Sequence, residues 1–503
     1  MKIPSERRLA VAGIMALVVL AIVLRLASIV FVPSLNWADE IFQATEQAHR
    51  LVYGTGLVPW EFQLGARSWL LPGFIAGLME LAGMAGDGPD YYLPIIAAAF
   101  AAISAAPVVC CFLWCRRLFG LSGAFVAGAV VAVAPELLYF GARTLSEVLA
   151  GHVLIAGLYM VDPGYRVGSR RTLFIAGALF ALVFVLRIQL APTVLIVALW
   201  TNWRTAHGRL PIMLAGGAAV LSLAGILDTV TLGYPLASLW RYVTYNVYYG
   251  VSSSFGVEPW DYYLRVELGV WRGAVALVLL LAGLGARRLP LLLVAAVTIL
   301  AVHSSIPHKE YRFIYPAVEL LMVLAGVGLA ELANWGTHRL RNNVSRGIAM
   351  PLCVAAASGA WAVVSFLVWT GPILAGLRDS ANANLSAASF VAHGPAPCGI
   401  GLYGQGGDDW AVYGGYTYFH RSAPMYWPKD RAGLAALAAG FDTLVSTEAP
   451  PAGLGFEPVG CFGEVCVSRR SGSCALVPVM TMPFPDPLAS GRMPRPGQPN
   501  SNP

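Results

Sequence analysis

The chain has few charged residues, and this scarcity excludes an ordinary soluble protein. Only 12% of its 503 residues are Asp, Glu, Lys or Arg, whereas 57% are hydrophobic. A soluble globular domain carries roughly twice that charged fraction. Many apolar stretches approach the length of about 20 residues that crosses a bilayer as a helix. The composition therefore predicts an all-α, polytopic protein of the lipid bilayer, and the net charge of +6 does not indicate a nucleic-acid partner.

Other absences narrow the function further. The sequence contains no P-loop and no dinucleotide-binding fingerprint, so a nucleotide site is not predicted. It also lacks the paired repeats with matching broken helices that are typical of secondary transporters. The first apolar run, residues 9–32, is long for a signal peptide and has no small-residue cleavage signal before Pro33. We interpret this run as the first membrane span.

Basic residues recur between the apolar runs and orient the chain, because short loops rich in Lys and Arg stay in the cytoplasm. The clusters are Lys2/Arg7/Arg8, Arg116/Arg117, Arg166/Arg170/Arg171, Arg204/Arg209, Arg287/Arg288 and Arg339/Arg341/Arg346. Placing them all inside predicts about eleven transmembrane helices, with the N-terminus inside and the C-terminus outside. These spans cover residues 9–32, 91–115, 119–140, 147–161, 172–186, 189–203, 210–232, 269–286, 289–304, 313–334 and 347–370.

One further apolar run, residues 68–86, is not used as a span in this topology. Counting it as a span would place Arg116 and Arg117 outside and invert every later loop. Proline and glycine residues interrupt the run, and it contains Glu80. We interpret it as an interfacial or re-entrant helix within a large first outer loop, residues 33–90. An ordinary span is the alternative.

The predicted organisation has three parts. Residues 1–370 form the transmembrane domain, which includes the first outer loop at 33–90. Residues 371–481 form a small C-terminal α/β domain on the outer, periplasmic side, and residues 482–503 are predicted to be disordered. The α/β prediction rests on strand-like runs at 399–403, 443–446 and 464–468 and on a helical run at 431–439.

The eight cysteines divide by compartment. Those in or beside the predicted spans are expected to be reduced, and they are Cys110, Cys111, Cys115 and Cys353. Those in the outer domain occupy an oxidising space, and they are Cys398, Cys461, Cys466 and Cys474. We predict two disulfides among the second group and favour the pair Cys461–Cys466 because the two residues are close in sequence. A zinc site is the alternative.

The first outer loop begins with two adjacent carboxylates, Asp39 and Glu40. A carboxylate just past a helix end can act as a general base, with a second polar group to orient it. Because adjacent residues point in different directions on a helix, at most one of the two is the base. The other is expected to position backbone or substrate hydroxyls. A metal site and a solvated loop start are the alternatives.

Trp60 and Glu61, followed by Arg67, form a combination typical of sugar binding. In such sites the ring covers the apolar face of the sugar and the charged groups bind its hydroxyls. An interfacial anchor is the alternative for Trp60. Arg143 and Arg187 lie where predicted spans reach the outer face. Each needs a counter-charge, which is either a protein carboxylate or a bound phosphate.

Residues 242–263 are dense in Tyr and Trp, and we select Tyr245, Asn246 and Trp260 as substrate-binding candidates. An aromatic belt at the membrane surface is the alternative. The Gly, Pro and Asn residues in the same stretch favour a shaped loop over a site.

The densest charged cluster consists of His308, Lys309, Glu310 and Arg312, between two apolar runs. Such a cluster at a membrane boundary is unfavourable unless it contacts water, a partner or an anionic ligand. The three cations together can neutralise a diphosphate or a phosphodiester, and Glu310 can orient one of them. Salt bridges within the cluster that cap a span are the alternative.

Taken together, these segments resemble the GT-C mannosyltransferases of glycosyltransferase family 22. The matching residues, in the family's order, are Asp39-Glu40 with Phe42-Gln43 and Glu46, Trp60-Glu61 with Arg67-Ser68 and Pro72, Arg143-Thr144 with Ser146, Tyr245-Asn246, Gly256 with Pro259-Trp260 and Tyr263, and His308-Lys309-Glu310 with Arg312-Phe313 and Pro316. Two positions depart from the family pattern. Trp37-Ala38 replaces a frequent His-Pro pair, and Glu147 replaces a frequent Asn.

The resemblance implies an inverting transferase with a polyprenyl-phosphate sugar donor, usually a mannose donor, and a lipid-linked glycan acceptor. The family's catalytic Asp corresponds to Asp39. No cofactor is required, although the carboxylates of Asp39, Glu40 and Glu61 could bind a divalent cation.

The phosphate would leave with its charge stabilised by His308, Lys309, Arg312 and Arg187. The alanine- and glycine-rich composition suggests a bacterial inner-membrane protein with a periplasmic active site. A transporter or flippase for a lipid-linked or anionic substrate is the alternative function.

Overall fold

The computed structural model describes residues 6–162, 169–203, 206–340, 345–404, 409–485 and 488. Four basic residues of the predicted topology lie outside these ranges: Lys2, Arg166, Arg204 and Arg341. Most of the predicted disordered tail, residues 482–503, also lies outside them. The chain divides into two compact units. The first, which we call the helical unit, comprises Met1–Ile29 and Ala97–Ala375, and the second, which we call the mixed unit, comprises Val30–Ile96 and Gly376–Pro503.

This division differs from the predicted domain boundary at residue 370. All of the predicted first outer loop, residues 33–90, belongs to the same unit as the C-terminal segment. The α-helices, in chain order, are α1 Glu6–Val30, α2 Glu46–Tyr53, α3 Trp60–Gln63, α4 Leu70–Gly83, α5 Pro89–Ile103, α6 Ala106–Ala132, α7 Pro135–Phe140, α8 Ser146–Val161, α9 Arg170–Leu186, α10 Ala191–Asn202, α11 Ala206–Leu232, α12 Ala237–Tyr242, α13 Tyr262–Trp271, α14 Val275–Ala286, α15 Pro290–Ser305, α16 Tyr315–Leu340, α17 Arg346–Trp369, α18 Pro372–Asp379, α19 Asn382–His393, α20 Gly415–Phe419 and α21 Arg431–Leu437.

Among the residues that the structure describes, six helical segments are long and apolar enough to cross a membrane: Glu6–Val30, Pro89–Ala132, Gly208–Leu232, Tyr262–Ala286, Tyr311–Leu340 and Ile348–Trp369. Shorter apolar helices occupy further predicted spans, at Ser146–Val161, Ile188–Asn202 and Pro290–Ser305. The mostly helical, multi-pass architecture is therefore confirmed. The number of eleven spans and the side of the membrane on which each loop lies stay predictions.

Two helices explain details of the predicted topology. α6 is broken at Gly120, whose φ of 76° and ψ of −165° favour glycine, and this break directly follows the predicted basic turn at Arg116 and Arg117. α4 has 14 residues. Its length of about 21 Å is less than the roughly 30 Å of a hydrocarbon core. Because α10, with 12 residues, and α15, with 16, are also short, length alone does not separate α4 from the predicted spans, and its interpretation as an element that does not span stays a prediction.

Small residues allow the long helices of the helical unit to pack closely. A Cβ atom placed on Gly177 of α9 would lie 1.9 Å from the carbonyl oxygen of Met213 in α11. A Cβ on Gly285 of α14 would lie 2.0 Å from the carbonyl oxygen of Leu324 in α16. Close backbone approach through small residues is a main source of helix association in membranes. The glycine-rich composition therefore contributes directly to the packing of this unit.

The mixed unit contains one five-stranded sheet with the order β2-β1-β3-β5-β4. Its strands are β1 Ile400–Tyr403, β2 Met425–Tyr426, β3 Thr443–Ser446, β4 Glu457–Phe462 and β5 Val465–Arg469. β1 pairs with β2 and β3 in parallel, whereas β5 pairs with β3 and β4 antiparallel. The three predicted strand runs coincide with β1, β3 and β5, so the small C-terminal α/β domain is confirmed. β2 and β4 were missed because β2 has two residues and β4 contains Pro458.

The two chain segments of the mixed unit share one hydrophobic core. Leu35, Phe42 and Leu57 from the first segment pack in the same cluster as Leu402 and Val445 of the sheet. The segments are also joined by backbone hydrogen bonding, because the Leu35 N–H donates to the Ser380 carbonyl at 3.0 Å. Burying these side chains together explains why residues 30–96 form one unit with the C-terminal segment.

Candidate active site

Three cationic side chains and two carboxylates meet in the helical unit, and we call them the cationic network. Its members are Glu147, Arg187, His308, Glu310 and Arg312. Arg312 is buried at its centre: Nη1 donates to Glu147 Oε1 at 2.7 Å, and Nε donates to Glu310 Oε2 at 2.7 Å. Charge-assisted hydrogen bonds of this kind make a buried guanidinium tolerable.

Arg187 is the least satisfied member of the network. It is 4% exposed, and its Nη1 lies 3.6 Å from Glu147 Oε2, which is an ion pair beyond hydrogen-bond distance. In the described part of the chain, its Nη2 has no hydrogen-bond partner. The guanidinium groups of Arg187 and Arg312 also lie over the same ring, Phe313, at 4.9 and 4.8 Å from its centroid. Arg187 therefore retains unused capacity to bind an anion.

Glu147 explains one of the departures from the family pattern. It stands where the family often has Asn, and here its two oxygens face Arg312 and Arg187. A carboxylate at this position neutralises part of the charge of two buried arginines, which an amide would not do. Glu147 was not predicted as a site residue.

His308 is held as an imidazolium by its hydrogen bonds. Its Nδ1 lies 3.0 Å from the Gly256 carbonyl oxygen and its Nε2 lies 3.0 Å from Glu310 Oε1. Since both partners accept, both ring nitrogens carry protons. Burial alone would lower the pKa of His308, but the hydrogen bonds to Glu310 and Gly256 raise it. Burial would raise the pKa of Glu310, but Arg312 and His308 lower it well below its usual range.

The other predicted residues of the helical unit have separate surroundings. Lys309 is 6% exposed, and its ammonium contacts backbone carbonyls. Arg143 lies over the Tyr139 ring at 4.0 Å and donates to the Tyr139 carbonyl at 3.2 Å. Tyr245 is buried, and Trp260 is 74% exposed.

The mixed unit holds a second group, which we call the acidic cluster and which comprises Asp39, Gln43, Glu61 and Arg67. The Gln43 Nε2 donates to Glu61 Oε1 at 2.7 Å. Burial and the charge of Asp39 raise the pKa of Glu61 to about 7, although the Arg67 guanidinium and the Gln43 hydrogen bond lower it. Glu40 is buried, whereas Asp39 is half-buried. A carboxyl that titrates near neutral pH beside a second carboxylate is typical of functional sites.

Local backbone geometry marks two of the predicted segments. Ile41–Thr45, directly after Asp39 and Glu40, is a short π-helix, and Val243–Tyr248, which contains Tyr245 and Asn246, is another. π-Helical turns are rare in proteins overall. Where they occur, they are often found at functional sites, because the extra residue per turn redirects side chains. The sequence contains no pattern that predicts them.

Three buried residues of the helical unit were missed by sequence reasoning. The Tyr311 hydroxyl and the Trp271 indole both donate to Glu136, the second at 2.7 Å. Tyr311 lies inside the predicted charged cluster, so this contact holds the backbone between Glu310 and Arg312. A carboxylate within a predicted span was the available signal.

The predicted cysteine group forms two disulfides in the structure. Cys461 pairs with Cys466 across β4 and β5, and Cys398 pairs with Cys474, with Cα–Cα distances of 4.1 and 5.8 Å. Among the described residues, Cys398 and Cys474 with Asp442 also form the one group of three metal-type donors within 4.8 Å of each other. Since sulfur in a disulfide is not a thiolate ligand, this group does not favour the zinc alternative.

Comparison with known proteins identifies the family. Residues 16–375 match the sequence profile of the Alg9-like mannosyltransferase family, which is more than half of the chain. The chain belongs to this family. It is 27% identical over 329 residues to GPI alpha-1,2-mannosyltransferase 3 of Mus musculus, which covers 63% of this chain and 59% of the mouse protein. The chain thus spans less than two thirds of the length of the curated relatives it matches.

Two solved structures support the fold. The structure of ArnT from Cupriavidus metallidurans bound to undecaprenyl phosphate aligns with a TM-score of 0.59 and 15% identity, over 92% of this chain and 99% of ArnT. The Archaeoglobus fulgidus oligosaccharyltransferase aligns with a TM-score of 0.50 and 11% identity, over 86% of this chain and 69% of that one. The predicted family and the GT-C fold are confirmed. The transporter alternative is not favoured.

Proposed function

We propose that the protein is an inverting mannosyltransferase that moves a sugar from a polyprenyl-phosphate donor to a hydroxyl of a lipid-linked glycan on the outer face of the membrane. The acceptor oxygen attacks the anomeric carbon while the bond from that carbon to the phosphate oxygen breaks. The acceptor proton passes to Asp39, and the bonding electrons leave with the phosphate. A single displacement of this kind inverts the anomeric configuration.

The observation that carries the proposal is the unused Nη2 of buried Arg187 in a network where three cations face two carboxylates. A lipid phosphate supplies the anionic oxygen that this nitrogen lacks. Arg187 and Arg312 would then hold the phosphate as its charge grows during bond breaking, and His308 and Lys309 would add positive potential. No metal ion is required for this step, although the carboxylates of Asp39, Glu40 and Glu61 could bind a divalent cation.

The acidic cluster supplies the base. Asp39 is half-buried beside Glu61, whose pKa is raised to about 7. A neighbour that is partly protonated at neutral pH keeps Asp39 from sharing its site with a full second charge. Glu40 is assigned to positioning, as the sequence suggested.

The remaining candidates are assigned to substrate binding. Trp60, Glu61 and Arg67 would bind the sugar, with the ring against its apolar face. The tyrosine-rich loop would contribute Tyr245, Asn246 and Trp260, and Arg143, which lies between α7 and α8, would also contact the substrate. The name of the mouse relative suggests mannose as the sugar and a glycolipid as the acceptor.

The location is part of the same proposal. The basic loops favour an active site on the extracytoplasmic face, and the composition favours a bacterial inner membrane with a periplasmic C-terminal domain. The curated relatives include animal proteins. The ArnT structure, with its undecaprenyl phosphate, provides a bacterial example of the same fold.

Reconstituted protein tests the proposal. With mannosyl polyprenyl phosphate and a lipid-linked glycan extract, mass spectrometry should detect acceptors that are heavier by one hexose. Asp39→Asn should reduce turnover by roughly 10²–10⁴-fold and leave donor binding intact. The matched control is Asp90→Asn, because Asp90 is exposed and pairs with His393 at 2.6 Å. Full turnover by Asp39→Asn would overturn the assignment of the base, and no hexose transfer by the wild type would overturn the function.

A further inference from the structure

The ammonium group of Lys309 is occupied by the protein's own backbone. Its Nζ lies 2.8 Å from the Glu258 carbonyl oxygen, 2.5 Å from that of Ile306 and 3.5 Å from that of Pro307. An ammonium has three hydrogens to donate, so these three acceptors use its full capacity. Lys309 is 6% exposed. One of its acceptors, Glu258, lies in the loop Gly256–Trp260, whereas Ile306 and Pro307 directly precede Lys309 in the chain.

Three hydrogen bonds join the loop Gly256–Trp260 to the charged cluster and to Pro307 directly before it. Lys309 donates to the Glu258 carbonyl, His308 Nδ1 donates to the Gly256 carbonyl at 3.0 Å, and the Glu258 N–H donates to the Pro307 carbonyl at 3.0 Å. Two of these links come from the His308-Lys309 pair of the family motif. We call the three links the loop clamp.

The clamped segment has a defined backbone and exposed side chains. Gly256 adopts φ 103° and ψ 152°, a conformation that is essentially restricted to glycine. Phe255 is 54% exposed and Trp260 is 74% exposed. An exposed loop without such links would lose much conformational entropy whenever it bound a ligand. Links that exist before binding remove that cost and raise affinity.

We propose that Lys309 and His308 are positioning residues, which hold the segment Gly256–Trp260 so that the Trp260 ring packs against the sugar of the donor. The inference rests on the proposed function, since it concerns the same donor. Carbohydrate rings present an apolar face that packs on indole, and a fixed, exposed indole suits this contact. In this account Lys309 acts through the loop and does not contact the phosphate.

The two roles of Lys309 differ in one measurable way. Lys309→Met keeps the chain length and removes all three donors. It should raise the KM for mannosyl polyprenyl phosphate about tenfold, with a smaller change in kcat. Inhibition by polyprenyl phosphate without sugar should change less than about twofold, because the phosphate contacts remain. An equal loss of affinity for both lipids would overturn the proposal, since it would place Lys309 on the phosphate.

A double-mutant cycle tests whether Lys309 acts through Trp260. Lys309→Met combined with Trp260→Ala should be no worse than the more severe single variant, because both remove the same contact. Lys309→Arg should recover part of the loss, since a guanidinium also donates to carbonyls. Additive effects would overturn the link to Trp260. If Trp260→Ala weakens both lipids equally, the ring contacts lipid instead of sugar.

Hydrogen exchange tests the loop clamp without any assay of transfer. Amide exchange in residues 255–260 of the full-length protein should be about tenfold faster in Lys309→Met than in the wild type. The control is Arg265→Met, because Arg265 is 54% exposed and pairs with the Glu258 and Asp261 side chains at 3.7 and 3.4 Å. Unchanged exchange in Lys309→Met would overturn the loop clamp itself. Faster exchange with no transfer by the wild type would keep the clamp and overturn the proposed function.

Discussion

The carboxylates of the helical unit and those of the mixed unit differ in the groups that stabilise or oppose their charge. In the helical unit, Glu310 is held by Arg312 and His308, and its pKa is lowered well below the usual range. In the mixed unit, Glu46 accepts hydrogen bonds from the Leu57, Tyr416 and Thr417 backbone N–H groups, yet burial raises its pKa to about 7.

The difference teaches how one residue type is given two chemical roles. A carboxylate matched with cations stays ionised and serves as a counter-ion. Burial and the charge of Asp39 raise the pKa of Glu61 to about 7, although the Arg67 guanidinium and the Gln43 hydrogen bond lower it. In the proposed reaction, the helical unit would hold the donor phosphate and Asp39 of the mixed unit would accept the proton.

The largest expected effect on stability comes from removing the central cation of the cationic network. Arg312→Met would remove the 2.7 Å charge-assisted hydrogen bonds that the guanidinium donates to buried Glu147 and to half-buried Glu310. We expect a loss of about 3–5 kcal/mol in the free energy of unfolding. Arg265→Met, at an exposed ion pair, should cost less than about 1 kcal/mol. Thermal unfolding of both variants in lipid nanodiscs measures the difference, and similar losses would contradict the central role of Arg312.

A smaller effect on stability is expected at Glu61 of the acidic cluster, and it depends on pH. Because the folded pKa of Glu61 is raised from 4.5 to about 7, its contribution to stability is present below about pH 4.5 and is lost as the pH rises through 7. Glu61→Gln stays neutral, so the decline between pH 4.5 and 7 should shrink by about 1–3 kcal/mol. Melting temperatures across this range test it. Part of the decline should persist, since Glu46 titrates in the same window. Identical slopes would show that Glu61 is not in the described environment.

The smallest expected effect concerns His308, a group with the opposite sign of charge. Its folded pKa is raised, so its stabilisation is fully present below the ordinary pKa of 6.5 and is lost as the pH rises through the folded pKa. His308→Gln should therefore differ from the wild type by up to about 1 kcal/mol at pH 6 and by less at pH 9. Melting temperatures at the two pH values decide this. A larger difference at pH 9 would contradict the imidazolium.

Local features of the sequence predicted much of the architecture. Apolar runs located the long helices, and three of the five strands fell where strand-like runs were noted. The candidate site residues of both units were selected from segments rich in charged or aromatic residues. These features depend on residues that are neighbours in sequence, so a single chain is enough to detect them.

The contacts that organise the cationic network and the mixed unit are distant in sequence. Arg312 and Glu147 are 165 residues apart, and Glu46 and Tyr416 are 370 apart. Such pairs depend on helix packing and on the shared core of Val30–Ile96 with the C-terminal segment, which a single sequence does not report. The loop clamp also depends on contacts that are distant in sequence. From the sequence alone Lys309 is interpreted as a phosphate ligand, and only the structure shows its backbone carbonyl partners.

The central claim is that both clusters serve one reaction on the outer face of the membrane, and labelling from outside tests it most directly. A membrane-impermeant maleimide would be applied to sealed spheroplasts that carry Asp87→Cys in the mixed unit or Ser254→Cys in the helical unit. Both positions are exposed. Cys353→Ser provides the background, since the other free cysteines are buried.

Arg288→Cys, in a predicted cytoplasmic turn, is the control and should react only after permeabilisation. The account predicts that Asp87→Cys and Ser254→Cys both react in intact spheroplasts. Labelling of these two positions from opposite sides of the membrane would contradict it.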